Sequence, residues 1–414
     1  MPPIDHDAPS PSPPPGERAS ANRPLAGIVV LDFGQVYQGP YATMLMAKAG
    51  ADVIKIEPPQ GEPLRRRAPP GKSTTFPIAM LNGNKRAITL NLKHERGRDL
   101  LFRMAEKADV LLENFAPGVM DRLGVGWGVL HEVNPRLVYA SGTGYGITGP
   151  DRDNLAMDLT VQAMAGLISV TGLPDGPPVK AGPAVVDFLS GIHLYAATVT
   201  ALFERERTGK GRLVEVAMQE AAYATLTSQF EAYWQNGRVP PRAGNSSHGR
   251  VPINVYPAND GYVAMNLAVE EHWHSLLKAM GREELRDDPR FNSPAARVKN
   301  REATDALITE WTSRLGKMEI FAAARRHRIP LAPVRDVGEV MHDRHMHQRG
   351  FLADIEHDEL GPLTVPDTPL RVHGADPVAA TPSPKLGQHN SEIYGDWLGL
   401  SEAEIAALGG DGVI

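Results

Sequence analysis

From Pro24 onward the hydrophobic positions switch between two periods. Short β-branched runs, AGIVVLDF (26–33), ADVIKIE (51–57), KRAITLNL (85–92), DVLLENF (109–115) and RLVYASGTG (136–144), alternate with helix-spaced apolar positions over 39–49 and 95–108. Strand–helix alternation of this kind predicts an α/β fold with a mostly parallel, doubly wound, Rossmann-like sheet. Such sheets take ligands beyond the carboxyl ends of their strands. The segments QVYQGP (35–40), ENFAPG (113–118) and GTGYGITGP (142–150) each follow a strand end, so all three are expected to line one crevice.

After Gly166 the pattern predicts a helix over 189–209 that ends at a glycine, a strand over 212–218 and a helix over 219–236. The Gly/Pro/Ser/Asn/His-rich stretch 237–260 is too long for a simple turn and reads as a lid or linker. GYVAMNLA and helices over 270–281 and 301–327 predict a smaller α+β unit. Strands and polar loops follow from Pro330, and a short helix over 401–408 ends the chain. Residues 1–23, rich in Pro and Ser, have little to bury and read as a disordered tail.

A chain of 414 residues implies more than one domain. With 42% hydrophobic and 22% charged residues the composition is that of a soluble globular enzyme. The formal net charge of −6 leaves no basic footprint, which argues against a nucleic-acid partner. There is no cysteine, so disulfides, thiolate nucleophiles and Cys-ligated metals are excluded. Residues 1–23 lack an apolar signal core, and no uninterrupted apolar run matches a bilayer, so no membrane partner is expected and the expected compartment is the cytoplasm.

Several motifs lead nowhere specific. Gly144, Gly146 and Gly149 satisfy G-x-G-x-x-G, but Pro150 follows them and no dinucleotide-binding unit opens there. His342, His345 and His347 do not share a helical face as an i,i+4 metal pair does, and no metal is expected. No G-x-S-x-G elbow is present. Arg65–Arg67, Lys85 and Arg86 read either as a solvated face or as cations for a phosphate-bearing ligand.

The segment GTGYGITGPDRDNLAMDLTVQAMAG (142–166) carries the candidate chemistry. With Asn154 as N-cap, Asp158 falls in the first turn of a helix, where free N–H groups and the positive dipole end stabilise a carboxylate. Gln162 stands one turn on along the same face and offers an amide donor beside it. An Asp in that position is either a helix-stabilising charge or an oxygen nucleophile.

The segments 25–59, 81–93, 108–124, 134–150, 158–167, 208–218, 329–343 and 386–390 together resemble the family III CoA-transferases, the formyl-CoA transferase and CaiB/BaiF group, from Pro24 to the C-terminus in consistent order. The resemblance implies that Asp158 is the catalytic aspartate, in an Asp-x-x-x-Gln-Ala-x-x-Gly context with Gln162, Ala163 and Gly166. It implies CoA contacts from Val36, Tyr37 and Gln38, from Leu90, Asn91 and Lys93, from Asn114, Phe115, Ala116 and Arg122, and from Thr143, Tyr145 and Gly146. Two positions depart from the formyl-CoA transferases. Tyr37 stands where they commonly have Gln, and Pro58 where they have an adenine-side Arg. AGNSSHG (243–249) replaces their glycine-run lid, and Ser247, His248 and Arg250 are candidate anchors for a second substrate carboxylate.

The resemblance further implies a large Rossmann-like CoA-binding domain over 24–204, a linker over 205–245, a small domain over 246–328, and a return linker and C-terminal segment over 329–414 packing on the large domain. Two chains are expected as an interlocked homodimer. The implied reaction passes CoA from an acyl-CoA to a carboxylic acid through aspartyl anhydride and aspartyl-CoA intermediates, with CoA as substrate and no tightly bound cofactor. A dicarboxylyl-CoA such as succinyl-CoA is the expected donor. The alternatives are a racemase-like enzyme, for which Met157 stands where a His is required and Asp187 remains as one base, and a non-catalytic CoA-binding protein.

Overall fold

The computed structural model describes residues 22–414. Of the expected tail, residues 1–21 lie outside the described residues. Asn22 and Arg23 are already tied to the chain, donating to Gly374 O at 2.9 Å and Pro377 O at 3.3 Å.

Two compact units result. The first comprises the described residues up to Ala165, Pro183–Thr225 and Arg344–Ile414. Its centre is a six-stranded sheet of β1 (Val29–Asp32), β2 (Asp52–Glu57), β3 (Arg86–Thr89), β4 (Val110–Glu113), β5 (Val138–Thr143) and β6 (Leu213–Ala217). The order is β3-β2-β1-β4-β5-β6, with every pair parallel. The direction of winding reverses between β1 and β4, which opens a crevice at their carboxyl ends.

Both faces of this sheet are covered, which is why its central strands read as continuous apolar runs rather than alternating ones. On one face Leu31, Ile54, Ile88 and Leu111 pack with α2 (Glu95–Ala105), α3 (Trp127–Val133) and the C-terminal Ile393, Tyr394, Leu408 and Val413. On the other, Val30, Val53, Leu112 and Ala140 pack with α1 (Gln38–Lys48) and α5 (Val185–Thr208). The short α4 (Asp158–Met164) lies between β5 and α5 in the chain. Residues 389–390 hydrogen-bond along β3, covering an edge that would otherwise be open to pairing with another chain.

Helix α5 is long and apolar enough, by length and composition, to cross a membrane. Its buried residues Val186, Ser190, Gly191, Leu194, Thr198, Ala201 and Leu202 instead form one stripe at three- and four-residue spacing, packed on α1, β5 and β6. Gly191 is required there, because a Cβ would sit 2.8 Å from Gln38 O.

The second unit, Gly166–Gly182 and Leu226–Asp343, holds an antiparallel sheet of β7 (Ile253–Ala258), β8 (Gly261–Asn266) and β9 (Leu331–Pro333). Trp273, Leu276, Ile308 and Ile320 fill its core from helices over Glu270–Met280, Arg301–Thr312 and Lys317–His327. Back in the first unit, β10 (Leu352–His357) and β11 (Gly361–Pro366) form an antiparallel hairpin.

Several boundaries differ from those expected. The stretch 205–245 is not one linker, because β6 lies inside it and completes the large sheet by pairing with β5. Residues 166–182 belong to the second unit, as does β9, which pairs with β8. The single helix expected over 301–327 is two, since Gly316 begins a new helix whose first N–H groups are held by Asp260 and Glu319. The helix expected over 219–236 is likewise broken, at residues 224–226.

Candidate active site

Helix α4 starts at Asp158 itself. Met157 is the N-cap residue, and Thr160 holds it, accepting from Met157 N at 3.0 Å and donating to Met157 O at 2.9 Å. The expected cap, Asn154, donates instead to Asp151 in the preceding turn. Asn154 lies three positions before the N-cap residue, too far back for its side chain to reach the first free N–H groups.

The Asp158 carboxylate is half-buried and meets three N–H donors. Oδ1 accepts from the backbone of Val186 at 2.8 Å and of Asp187 at 3.2 Å, and Oδ2 accepts from Gln162 Nε2. Val186 and Asp187 lie in the first turn of α5, whose opening N–H groups have no partner within the helix. Asp158 supplies one. Two helix starts therefore meet at one carboxylate, while Gln162, buried beneath it, fixes its other oxygen. Asp187 itself is pushed up to about 7, first by burial and then by the Asp158 charge.

The loops expected to line the crevice follow three consecutive strands of the sheet, β1, β4 and β5. Asn114, after β4, grips the loop after β1 with both ends of its amide: Oδ1 accepts from Gln35 N at 2.7 Å and Nδ2 donates to Gln35 O at 3.0 Å. Its side chain is thus committed to the protein. Tyr37 stacks on Phe188 of α5, ring centroids 5.9 Å apart, and Phe188 meets Tyr41 edge-on at 4.8 Å. Gln38 is buried, wedged beneath Gly142 at the end of β5, where a Cβ would sit 2.7 Å from its Oε1. Thr143 accepts from Gly146 N at 2.9 Å and so closes the turn of the third loop, with Tyr145 half-buried in it. Phe115 packs against the core and donates its N–H to Glu113, whereas Ala116 and Arg122 are exposed.

Other expected contacts are structural. Leu90 is in the core, and Asn91 donates to Gly412 O and accepts from Lys93 N, tying down the chain end; only Lys93 is exposed. Lys85 is neither a solvated nor a ligand-facing cation. It is fully buried, donates to Asp32, Thr43, Asn82 and Pro40 O, and is pulled down to about 8, chiefly by burial. Arg65 is bound to Glu57, and Arg86 to Asp52 and Glu392, leaving Arg66 and Arg67 exposed. In the second unit the backbone carbonyls of Ser247 and His248 are held by Arg301, the His248 ring meets Pro241 O at 3.2 Å, and Arg250 is exposed.

The profile of the family described as CoA-transferase family III matches residues 25–390. The formyl-CoA:oxalate CoA-transferase of Streptomyces avermitilis is 38% identical over 409 residues, covering 94% of this chain and 99% of that one. The succinyl-CoA–D-citramalate CoA-transferase of Chloroflexus aurantiacus is 33% identical, covering 93% and 97%. The crystal structure of a CaiB/BaiF family protein from Brucella suis superposes with a TM-score of 0.82 at 33% identity, over 91% of this chain and 99% of that one. This chain belongs to family III of the CoA-transferases and is an enzyme of that class. Identity to this formyl-CoA:oxalate enzyme is higher than to this succinyl-CoA enzyme.

Proposed function

We propose that the enzyme moves CoA between carboxylic acids through covalent intermediates on Asp158. The observation that carries this reading is the triply bonded Asp158 carboxylate, held from Val186, Asp187 and Gln162 with its two oxygens in different environments. Oδ2 attacks the thioester carbonyl of the donor; the new C–O bond forms, the C–S bond breaks, and CoA leaves as thiolate. The thiolate then attacks Cγ of Asp158 and expels the donor acid as a carboxylate, leaving aspartyl-CoA. An incoming carboxylate attacks Cγ in turn and releases the thiolate. The thiolate's return to the acceptor carbonyl yields the new acyl-CoA and frees Asp158.

In both attacks at Cγ the developing oxyanion is Oδ1, and the Val186 and Asp187 N–H groups already point at it. Preset donors of this kind need no reorganisation as the charge grows. The racemase-like alternative has no counterpart for its second base, because Met157 has no proton to exchange.

CoA is proposed to lie over the loops after β1, β4 and β5, with Val36, Tyr37, Phe115, Ala116, Arg122, Thr143, Tyr145, Gly146 and Lys93 in contact. The proposed substrate pair includes a dicarboxylic acid. Oxalate, named in the first relative above, is such an acid, and succinyl-CoA, named in the second, is the CoA thioester of one. Succinyl-CoA is the first donor to try and formyl-CoA the second. Arg250, with Ser247 and His248, is the proposed partner of the second carboxylate, which must be paired once water is excluded. The working form is proposed to be a homodimer.

A panel of acyl-CoA donors against mono- and dicarboxylates of equal length tests this. Exchange of CoA between a thioester and a dicarboxylate is expected, and Arg250→Ala is expected to lower the preference for the dicarboxylate about tenfold. An unaltered preference removes Arg250 from the site. Exchange of an α-proton without CoA transfer overturns the reading.

A further inference from the structure

The loop between β1 and α1 contains a backbone conformation that its sequence disfavours. Val36 has φ +63°. A β-branched side chain is a poor occupant of the left-handed region, and a residue in such a state persists only where its surroundings impose it.

Those surroundings are side chains. Gly34 N donates to Asp32 Oδ1 at 2.8 Å, Gly34 O accepts from Lys55 Nζ, and Asn114 takes both polar groups of Gln35. Val36 N donates to Glu62 Oε2 at 2.9 Å. The loop thus makes no ladder or helical bond at Gly34, Gln35 or the Val36 N–H, yet each of these groups is satisfied.

Glu62 is the member of this set that touches the strained residue. It is 1% exposed, its Oε1 lies 3.4 Å from Lys55 Nζ, and its own N–H is fixed by Glu57 at 3.1 Å, which Arg65 holds in turn. Lys55 thereby links Glu62, the acceptor of Val36 N, to the carbonyl of Gly34, to which it donates. The next residue, Tyr37, stacks on Phe188, the neighbour of Asp187, so the direction in which Val36 sends the chain also sets the aromatic contact beside the Asp158 donors.

We propose that Glu62 is a positioning residue for CoA: it holds Val36 in the left-handed conformation that shapes the loop after β1, and so prepays the ordering of that loop before CoA arrives. The inference rests on the reading of that loop as a CoA-binding element. Removing the carboxylate leaves a free N–H and a strained residue; the loop relaxes to negative φ, and CoA must restore it at the expense of affinity.

The test is a cycle between Glu62 and Val36, read by calorimetric titration with free CoA and by steady-state transfer. Glu62→Ala is expected to raise the CoA Kd and the thioester KM about tenfold, with kcat changed less than about threefold. Glu62→Gln, which keeps an acceptor for Val36 N, is expected to fall between. Val36→Gly in the Glu62→Ala background is expected to recover about threefold or more of the affinity, because glycine takes positive φ at little cost. A purely structural role for Glu62 lowers Tm without any rescue by Val36→Gly. Should Glu62→Ala fail to fold, the same rescue is read in the Glu62→Gln background. Normal CoA binding by the foldable Glu62 variants, or no rescue by glycine, overturns the positioning role alone. A wild-type protein that does not bind CoA overturns the proposed function, and this inference with it.

Discussion

The backbone N–H of Asp187 donates to Oδ1 of Asp158 at 3.2 Å, while the side chain of Asp187 is pushed up to about 7 by burial and by that same Asp158 charge. One residue therefore supports the proposed nucleophile through its main chain and stays neutral beside it below pH 7. As pH rises through about 7, Asp187 ionises and a second negative charge appears where a carboxylate and a thiolate must approach. Transfer is expected to fall on that alkaline limb, mainly in kcat/KM for the acceptor acid. Asp187→Asn keeps the N–H and is expected to flatten the limb; a profile that keeps its inflection near 7 assigns that inflection to another group.

Asp158→Asn is expected to reduce transfer at least about a thousandfold, since the amide cannot form the anhydride, while the CoA Kd stays within about threefold. Mass spectrometry of the wild type with an acyl-CoA should show a CoA adduct on the peptide containing Asp158. Appreciable turnover by the variant, or an adduct elsewhere, removes Asp158 from the nucleophile's role.

Glu113, buried at the carboxyl end of β4, is raised to about 7 because burial outweighs the hydrogen bonds from Ser141 and the Phe115 N–H. The folded state thus binds a proton that the unfolded chain releases near the ordinary carboxyl value of 4.5. The stability this lends is fully present below about 4.5 and is lost as pH rises to 7. Glu113→Gln is expected to remove that slope, narrowing the difference in unfolding free energy between pH 5 and pH 8 by on the order of 1–3 kcal/mol. Equal narrowing in an Asp187→Asn control and none in Glu113→Gln would refute the assignment.

Phe203 on α5 is 67% exposed and Trp234, in the second unit, 83%. Phe203 projects from a helix whose other face is packed, and Trp234 from the helix Thr227–Asn236, which buries no residue; large apolar side chains left open in this way suit burial against another copy of the chain. Light scattering at micromolar concentration is expected to report two chains per particle. A monomer that transfers CoA at the same specific rate would exclude the homodimer.

The order of strands and helices was legible in the sequence because it follows from short-range chemistry. β-Branched runs bounded by turn residues and apolar positions at helical spacing announce the elements of the parallel sheet, and the three loops that follow β1, β4 and β5 were placed correctly at one end of it. The neighbourhood of Asp158 and Gln162 was legible for the same reason, since four residues along a helix bring two side chains together. Family membership, too, could be read from motifs scattered along the whole chain.

What only the tertiary structure decided are the partners of polar groups, because hydrogen bonds do not respect sequence distance. Val186 and Asp187 bring two N–H groups to a carboxylate 28 and 29 residues away, and nothing local to α5 marks them as donors to it. Lys85 and Arg65 look like solvated or ligand-facing cations in the sequence, yet burial beside Asp32 and Glu57 turns them into internal ion pairs. Asn114 looks free to meet a ligand and is spent on Gln35. The left-handed Val36 is the furthest from prediction: its own side chain argues against the conformation, and Glu62, 26 residues on and on another loop, holds it there.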